Sequence, residues 1–364
     1  MAKRLSLPFD DWPARDRALW HSAIQDGDIL DGAGPCADWA ETTRNNSRKA
    51  YSYWLQWLID ADLLDVEEPP FDRITPQRVA AYVKTLEARV ASSTVFTYIL
   101  DLLAYVKRVE PKRDWSWLVD IKNRLGARSR PARDKTQRIQ SSQDLFDLGV
   151  KLMDTAAQAY CRYNRLAPEI QYRNGLIIAF LAARPIRLKN LAALEIDQHL
   201  VRVDGVYWLR LEAYETKNRK HIEATLPQAL TPYLDCYLEH ARKKLLGDAT
   251  SDHLWVSCFG TDLSEGVIRY HLCKHTKTAF GKAISPHLFR DCAATSVAIE
   301  DPEHVRVATA ILGHHSPKTA QQYYDQSRML SAGRHYQEAL AGLRNNAREQ
   351  LRRPHKSEHL KPGR

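Results

Sequence analysis

Ile311-Leu312-Gly313-His314-His315-Ser316-Pro317-Lys318-Thr319-Ala320-Gln321-Gln322-Tyr323-Tyr324 sets a Leu-Gly-His turn nine positions ahead of a tyrosine. A glycine here closes a helix and leaves the next histidine in the turn that follows. Upstream stand His287-Leu288-Phe289-Arg290 and, before them, Arg187. Together they supply a phenol nucleophile, two guanidinium forks and two imidazoles, the inventory needed to work on a phosphodiester.

The chain of 364 residues is long enough for two domains, and its 44% hydrophobic content supports packed cores rather than disorder. Lys and Arg number 53 against 44 Asp and Glu, a net charge of +9, which favours an anionic partner such as nucleic acid. Met1 to Pro8 carries two basic residues with no apolar run behind them, so no signal peptide is expected. The longest greasy stretch, Leu176 to Ala183, falls far short of the roughly 20 residues that span a bilayer, so a cytoplasmic protein with no membrane partner is expected. The six cysteines never form a C-x-x-C pair. His271 and His275 have the i, i+4 spacing of helical metal ligands, but no third ligand accompanies them, and no metal site is assigned.

Working towards the N-terminus, the hydrophobic pattern separates two regions. Ala50, Tyr53, Trp54, Trp57 and Leu58 form a helical apolar stripe behind Ser47 as N-cap. Thr75-Pro76 opens a second helix with Val79, Tyr82, Val83 and Leu86 on one face, and a third runs from about Ser92 to Val109. Between Lys122 and Arg138 the pattern gives way to Lys122, Arg124, Arg128, Arg130, Arg133, Lys135 and Arg138 around Gly126 and Pro131. This reads as an interdomain strap, either a solvated charge run or a DNA-backbone contact. Beyond it, Ser141 begins a helix and Tyr172 to Ala183 forms a buried one. Leu200 to Leu211 then alternates around Asp204-Gly205, the strongest short hairpin signal, and Ile222 to Leu226 adds a third strand. From Thr231 the pattern is helical again, ending in a basic tail.

A lone H-x-x-R carries little weight, since His199-Leu200-Val201-Arg202 is a second match. The ordered set of Arg187, Lys217, His287, Arg290, His314 and Tyr323 carries more. In order and spacing it resembles the tyrosine recombinase (phage integrase) family over roughly residues 140–345, and the helical segment 38–118 looks like that family's core-binding domain. The resemblance implies an α-helical N-terminal core-binding domain plus a mainly α, mixed α+β catalytic domain with a small antiparallel sheet. The expected divisions are an N-terminal extension (1–37), a DNA-binding core-binding domain (38–120), a basic linker (121–139), a catalytic domain (140–350) and a basic tail (351–364).

The resemblance implies a site-specific DNA recombinase or integrase that cuts and rejoins DNA through a 3′-phosphotyrosyl intermediate, with no cofactor, metal or ATP. Arg187 and Arg290 would grip the non-bridging phosphate oxygens, a geometry that guanidinium forks suit. His287 and His314 would complete the cage with N–H donors. Tyr323 would attack, with Tyr324 as the alternative, and Lys217 would protonate the leaving 5′-oxygen, with Lys220 as the alternative. The strap residues would bind DNA. Implied partners are a double-stranded DNA target site, a homo-tetramer on two duplexes and an accessory DNA-bending factor; the enzyme would be nucleoid-associated when bound. Ala339, Leu340 and Leu343 form a stripe suited to exchange between protomers.

Three departures mark a divergent member. Asn190 stands where relatives often carry an acidic residue, Asp291 where they often carry a histidine after H-x-x-R, and Ala320 where a hydroxyl residue is usual. Arg184 also competes with Arg187 for the phosphate. Two other readings keep the fold: a type IB topoisomerase-like strand cutter, and a catalytically inactive DNA-binding or regulatory protein. Taken singly, each site residue also has an ordinary explanation in packing or surface charge.

Overall fold

The computed structural model describes residues 4–28, 30, 32–130, 136–159 and 164–300. Arg133 and Lys135 of the strap, the His314 turn, Tyr323, Tyr324 and the stripe at 339–343 lie outside the described residues. The chain divides into two units, Met1–Asp134 and Lys135–Arg364.

The first unit is helical: α1 (Ala14–Ile24), α2 (Glu41–Asp60), α3 (Pro76–Glu87), α4 (Ser92–Val109) and α5 (Ser116–Arg128). Thr75 caps α3 as its sequence predicts, its side chain accepting from the Arg78 amide with Pro76 in the first turn. Helix α2 starts earlier than expected, and Ser47 is buried inside it rather than capping it. The apolar stripes of α2, α3 and α4 meet in an aromatic core in which Trp54, Tyr82 and Tyr105 are almost fully enclosed.

Two sequence expectations change here. Residues 1–37 are not a separate extension, because Leu7, Trp12, Trp20, Ala23 and Cys36 enter the same core. Asp16 on α1 also pairs with Arg73 at 2.7 Å and accepts from the Tyr51 hydroxyl at 2.6 Å, all three side chains being buried. Scattered tryptophans and an inward carboxylate give no periodic apolar stripe, so the sequence does not advertise the packing. Nor is 121–139 wholly linker: α5 carries Lys122, Arg124 and Arg128, and its Leu118 and Leu125 are buried. Trp117, Val119 and Ile121 pack against the same core beside these two leucines, which gives the charged helix an apolar face.

The second unit begins with α6 (Ser142–Asp154), capped by Ser141, whose hydroxyl accepts from the Asp144 amide. Next come α7 (Ala167–Ala183), α8 (Leu188–Ala192) and an antiparallel sheet of β1 (Leu200–Val203), β2 (Val206–Leu211) and β3 (Ile222–Thr225), ordered β1-β2-β3. The Asp204-Gly205 turn has φ of 49° and 78°, the left-handed pair of a tight hairpin, and Val203 pairs with Val206 across it. Helix α9 (Thr231–Cys236) runs through a π-helical turn (Tyr237–Ala241) into α10 (Arg242–Leu246), followed by α11 (Glu265–Phe280) and α12 (Pro286–Glu300).

Helix α7 is the spine of this unit, with Leu176 to Leu181 all buried. It approaches α6 at glycines: a Cβ on Gly149 would lie 2.6 Å from the Gly175 carbonyl oxygen and from the Ala179 nitrogen. Arg173 is buried on the same helix and donates to the Val256 carbonyl at 2.7 Å. Fixing α7 fixes the segment that leaves its C-terminus, and that segment begins the site.

Candidate active site

After α7 ends, Arg184-Pro185-Ile186 leads to Arg187, the N-cap of α8, in extended conformation. The two competing arginines separate at this point. Arg184 donates from Nε and Nη2 to the Thr225 carbonyl at 2.9 and 2.6 Å, which ties it to β3, and burial lowers its pKa. Arg187 spends one donor on the Asn218 side-chain oxygen at 3.1 Å and lines a cleft of about 600 Å³.

Lys217, His287 and Arg290 line that same cleft, together with Asn218 and Arg269. Arg290 is the buried cation of the cleft, 6% exposed, and donates to the Pro185 carbonyl at 2.7 Å. That bond fixes the guanidinium of α12 against the segment leading to Arg187, so the two arginines are set relative to each other through backbone. His287, Lys217 and Arg269 are exposed. Ser285, Pro286 and His287 bring the first turn of α12 to the cleft, where the positive end of the helix dipole favours an anion. Four cations and a helix N-terminus therefore converge on one concavity. Among the described residues that line it there is no carboxylate.

Lys217 lies in the β2–β3 connection, residues 212–221, which turns back through Arg219 at φ 50°. The Thr216 hydroxyl closes this turn, donating to the Lys220 carbonyl at 2.8 Å and accepting from the Lys220 amide at 2.9 Å. Lys220, the alternative proton donor, faces an adjoining pocket of about 320 Å³ that shares Arg187, Asn218 and Arg290 with the cleft.

The second H-x-x-R histidine has a different place. His199 is buried; its Nδ1 accepts from the Glu195 amide at 2.9 Å and its Nε2 lies 2.7 Å from the Glu215 carboxylate. Since Nδ1 accepts, the ring proton is on Nε2 and is donated to Glu215. Asn190, at the position where an acidic residue is common, is also buried, and its amide donates to the Glu215 carbonyl at 3.3 Å. A carboxylate could not make that bond.

Of the six residues picked from sequence as catalytic, Arg187, Lys217, His287 and Arg290 come together; His314 and Tyr323 lie outside the described residues. Of the strap cations, Arg124, Arg128 and Arg130 are exposed, Lys122 is half-buried, and Arg138 is tied to the second unit by donating to the Ala283 carbonyl. Sequence reasoning missed Arg269 and Asn218, which no motif spacing marks. His271 and His275 stack at 6.2 Å between centroids. Burial, then the charge of Arg173, pushes His271 down to about 4. No cluster of three or more metal-ligating side chains occurs among the described residues.

Residues 151–329 match the sequence model of the phage integrase family, a span that includes His314 and Tyr323. Tyrosine recombinase XerD of Pseudomonas aeruginosa is 28% identical over 185 residues, 50% of this chain and 60% of that protein. XerD of Staphylococcus aureus is 28% identical over 159 residues, 42% of this chain and 50% of that protein. The chain thus spans between half and 60% of the length of these curated relatives. Among solved structures, XerH site-specific recombinase bound to palindromic difH substrate in a post-cleavage complex superposes with a TM-score of 0.56 at 15% identity, over 81% of this chain and 80% of that one. The XerH–difH pre-cleavage complex gives 0.55 at 14% identity, over 90% and 98%. The chain has the mainly helical fold with a small antiparallel sheet seen in those structures, and its residues 151–329 are similar to the phage integrase family, the curated relatives named above being tyrosine recombinases. No described helix is long and apolar enough to cross a membrane.

Proposed function

We propose that this chain is a site-specific DNA recombinase that cleaves and rejoins DNA through a 3′-phosphotyrosyl intermediate. The observation that carries the reading is the convergence of Arg187, Lys217, His287 and Arg290 on one cleft. Arg187 and Arg290 hold the non-bridging oxygens of the scissile phosphate and offset charge as the phosphorane forms. The Tyr323 oxygen attacks phosphorus, and its proton passes to His287. As the new phosphorus–oxygen bond forms, the bond to O5′ breaks and Lys217 gives that oxygen a proton. His314 completes the donor set. Because the phosphodiester energy is kept in the tyrosyl ester, a 5′-hydroxyl from another strand reverses the attack without ATP.

Duplex DNA is the partner, bound in part by Lys122, Arg124, Arg128, Arg130, Arg133, Lys135 and Arg138. Strand exchange requires two duplexes and a tetramer, with an accessory bending factor setting direction. The test uses the full chain with a nicked duplex carrying a site selected from a random pool by binding. The nick lets the cleaved end diffuse away, so a denaturant-resistant protein–DNA adduct accumulates. Tyr323→Phe abolishes the adduct. Adduct surviving in that variant moves the nucleophile to Tyr324, and none from wild type on its selected site favours a DNA-binding protein without strand-cleaving activity.

A further inference from the structure

The residue proposed to protonate the leaving group rides on a loop, and the loop is held in an unusual way. Lys217 is exposed, so its reach into the cleft is decided by the backbone on either side. Fixing each loop residue costs about 1–2 kcal/mol of conformational entropy, which a ten-residue connection must recover from bonds of its own. Those bonds converge on Glu215, two positions before Lys217. One carboxylate oxygen accepts the His199 Nε2–H at 2.7 Å, the other accepts the Glu212 amide at 2.7 Å, and the backbone carbonyl accepts the Asn190 amide at 3.3 Å. On the far side of Lys217, Asn218 meets Arg187 at 3.1 Å.

We propose that His199, Glu215 and Asn190 form a clasp that positions Lys217 for proton transfer to the leaving 5′-oxygen. The inference rests on the reading of Lys217 as proton donor. His199 suits the task because it is itself immobilised: buried, and with Nδ1 committed to the Glu195 amide between α8 and β1, it offers a single fixed donor to the loop. Asn190 lies on α8, the helix that Arg187 caps, so one short helix references both the phosphate grip and the loop. The same assignment accounts for the asparagine in a position that is often acidic: its partner is the Glu215 backbone carbonyl, an acceptor, so the helix must bring a donor. These three are positioning residues; none is placed at the reacting atoms.

The experiment compares two nicked duplexes of the selected site, one with the normal 5′-oxygen and one with sulfur in that bridging position. Sulfur departs as a stable thiolate and needs no proton, so a defect confined to proton donation disappears on it. Under single-turnover conditions at saturating full-length protein, Lys217→Ala and His199→Phe both slow adduct formation on the oxygen duplex, the latter by about 10- to 100-fold, part of the 10²–10⁴-fold that general acids contribute. On the sulfur duplex both come within about threefold of wild type, and DNA affinity by fluorescence anisotropy is unchanged. Should His199→Phe fail to fold, Glu215→Ala, which removes a less buried side chain, is read in its place with the same expectation. Equal slowing on both duplexes overturns the clasp, as does an unaffected rate on both. If wild type forms an adduct but sulfur does not rescue Lys217→Ala, the proton-donor assignment fails and the clasp with it. If wild type forms no adduct on either duplex, it is the recombinase reading that falls.

Discussion

Replacing Asp16 by Asn should unfold the first unit far more easily than an exposed acidic-to-amide change would. The Asp16–Arg73 pair is 2.7 Å long with both side chains fully buried, and the Tyr51 hydroxyl donates to the other carboxylate oxygen at 2.6 Å. Arg73 Nε and Nη1 have no hydrogen-bond partner, so its charge is balanced chiefly through Asp16. Burial and the neighbouring carboxylate push the Tyr51 pKa well up, which keeps the phenol a donor. Removing one member of such a pair leaves a buried charge uncompensated, at a cost of about 3–5 kcal/mol. At a urea m-value of about 2 kcal/mol per molar this lowers the midpoint by about 2 M. Tryptophan fluorescence reads this unit preferentially, since Trp12, Trp20, Trp39, Trp54, Trp57, Trp115 and Trp117 fall in it and only Trp208 and Trp255 in the other. The control is the triple change Asp16→Leu, Arg73→Met and Tyr51→Phe, which removes every buried polar member and should return to within about 2 kcal/mol of wild type. A loss below about 1 kcal/mol for Asp16→Asn, or a triple variant as unstable as the sum of its singles, refutes the argument.

Four further outcomes are expected. Gly149→Ala brings a methyl to 2.6 Å from backbone atoms of α7, so it should destabilise the second unit by about 1–3 kcal/mol in spite of alanine's better helix propensity, read as a lower midpoint in urea. Asn190→Asp sets a carboxylate against the Glu215 carbonyl and should slow single-turnover cleavage of the oxygen duplex by at least tenfold, with little change in DNA affinity. His271, held down to about 4 by burial and then by Arg173, stays neutral in the folded chain while the unfolded chain protonates near ~6.5. Stability should therefore be full above that pH and fall by about 1–2 kcal/mol towards pH 4, after allowance for partial exposure, and His271→Gln should flatten that part of the profile. Neutralising the exposed Arg124, Arg128 and Arg130 should reduce the slope of log affinity against log salt by about 2 to 3 units, and an unchanged slope would leave them as solvated charge.

Much of the fold was legible in the sequence because its signals are local. Thr75-Pro76 caps a helix wherever it stands in an amphipathic run, and Asp204-Gly205 forces a hairpin because both residues accept positive φ. The misreadings arose where the deciding contact is distant in sequence. Asp16 looks like a surface carboxylate until Arg73 is brought against it, and α5 looks like a charged strap until Leu118 and Leu125 find a core.

The site divides the same way. Residue order and spacing selected Arg187, Lys217, His287 and Arg290, since the chemistry of a phosphate grip limits which residue types serve and family resemblance supplied the order. The sequence preferred Arg187 to its competitor Arg184 only by motif fit, because both are guanidinium groups three positions apart. Tertiary structure makes the distinction by spending Arg184 on the Thr225 carbonyl and leaving Arg187 on the cleft. It likewise made His199 a buried tether rather than a catalytic match, and revealed Arg269 on a helix with no motif of its own. Composition and spacing determine which groups are available. Where each one is used depends on which hydrogen-bonding partner the packed chain presents to it, and that partner lies tens of residues away.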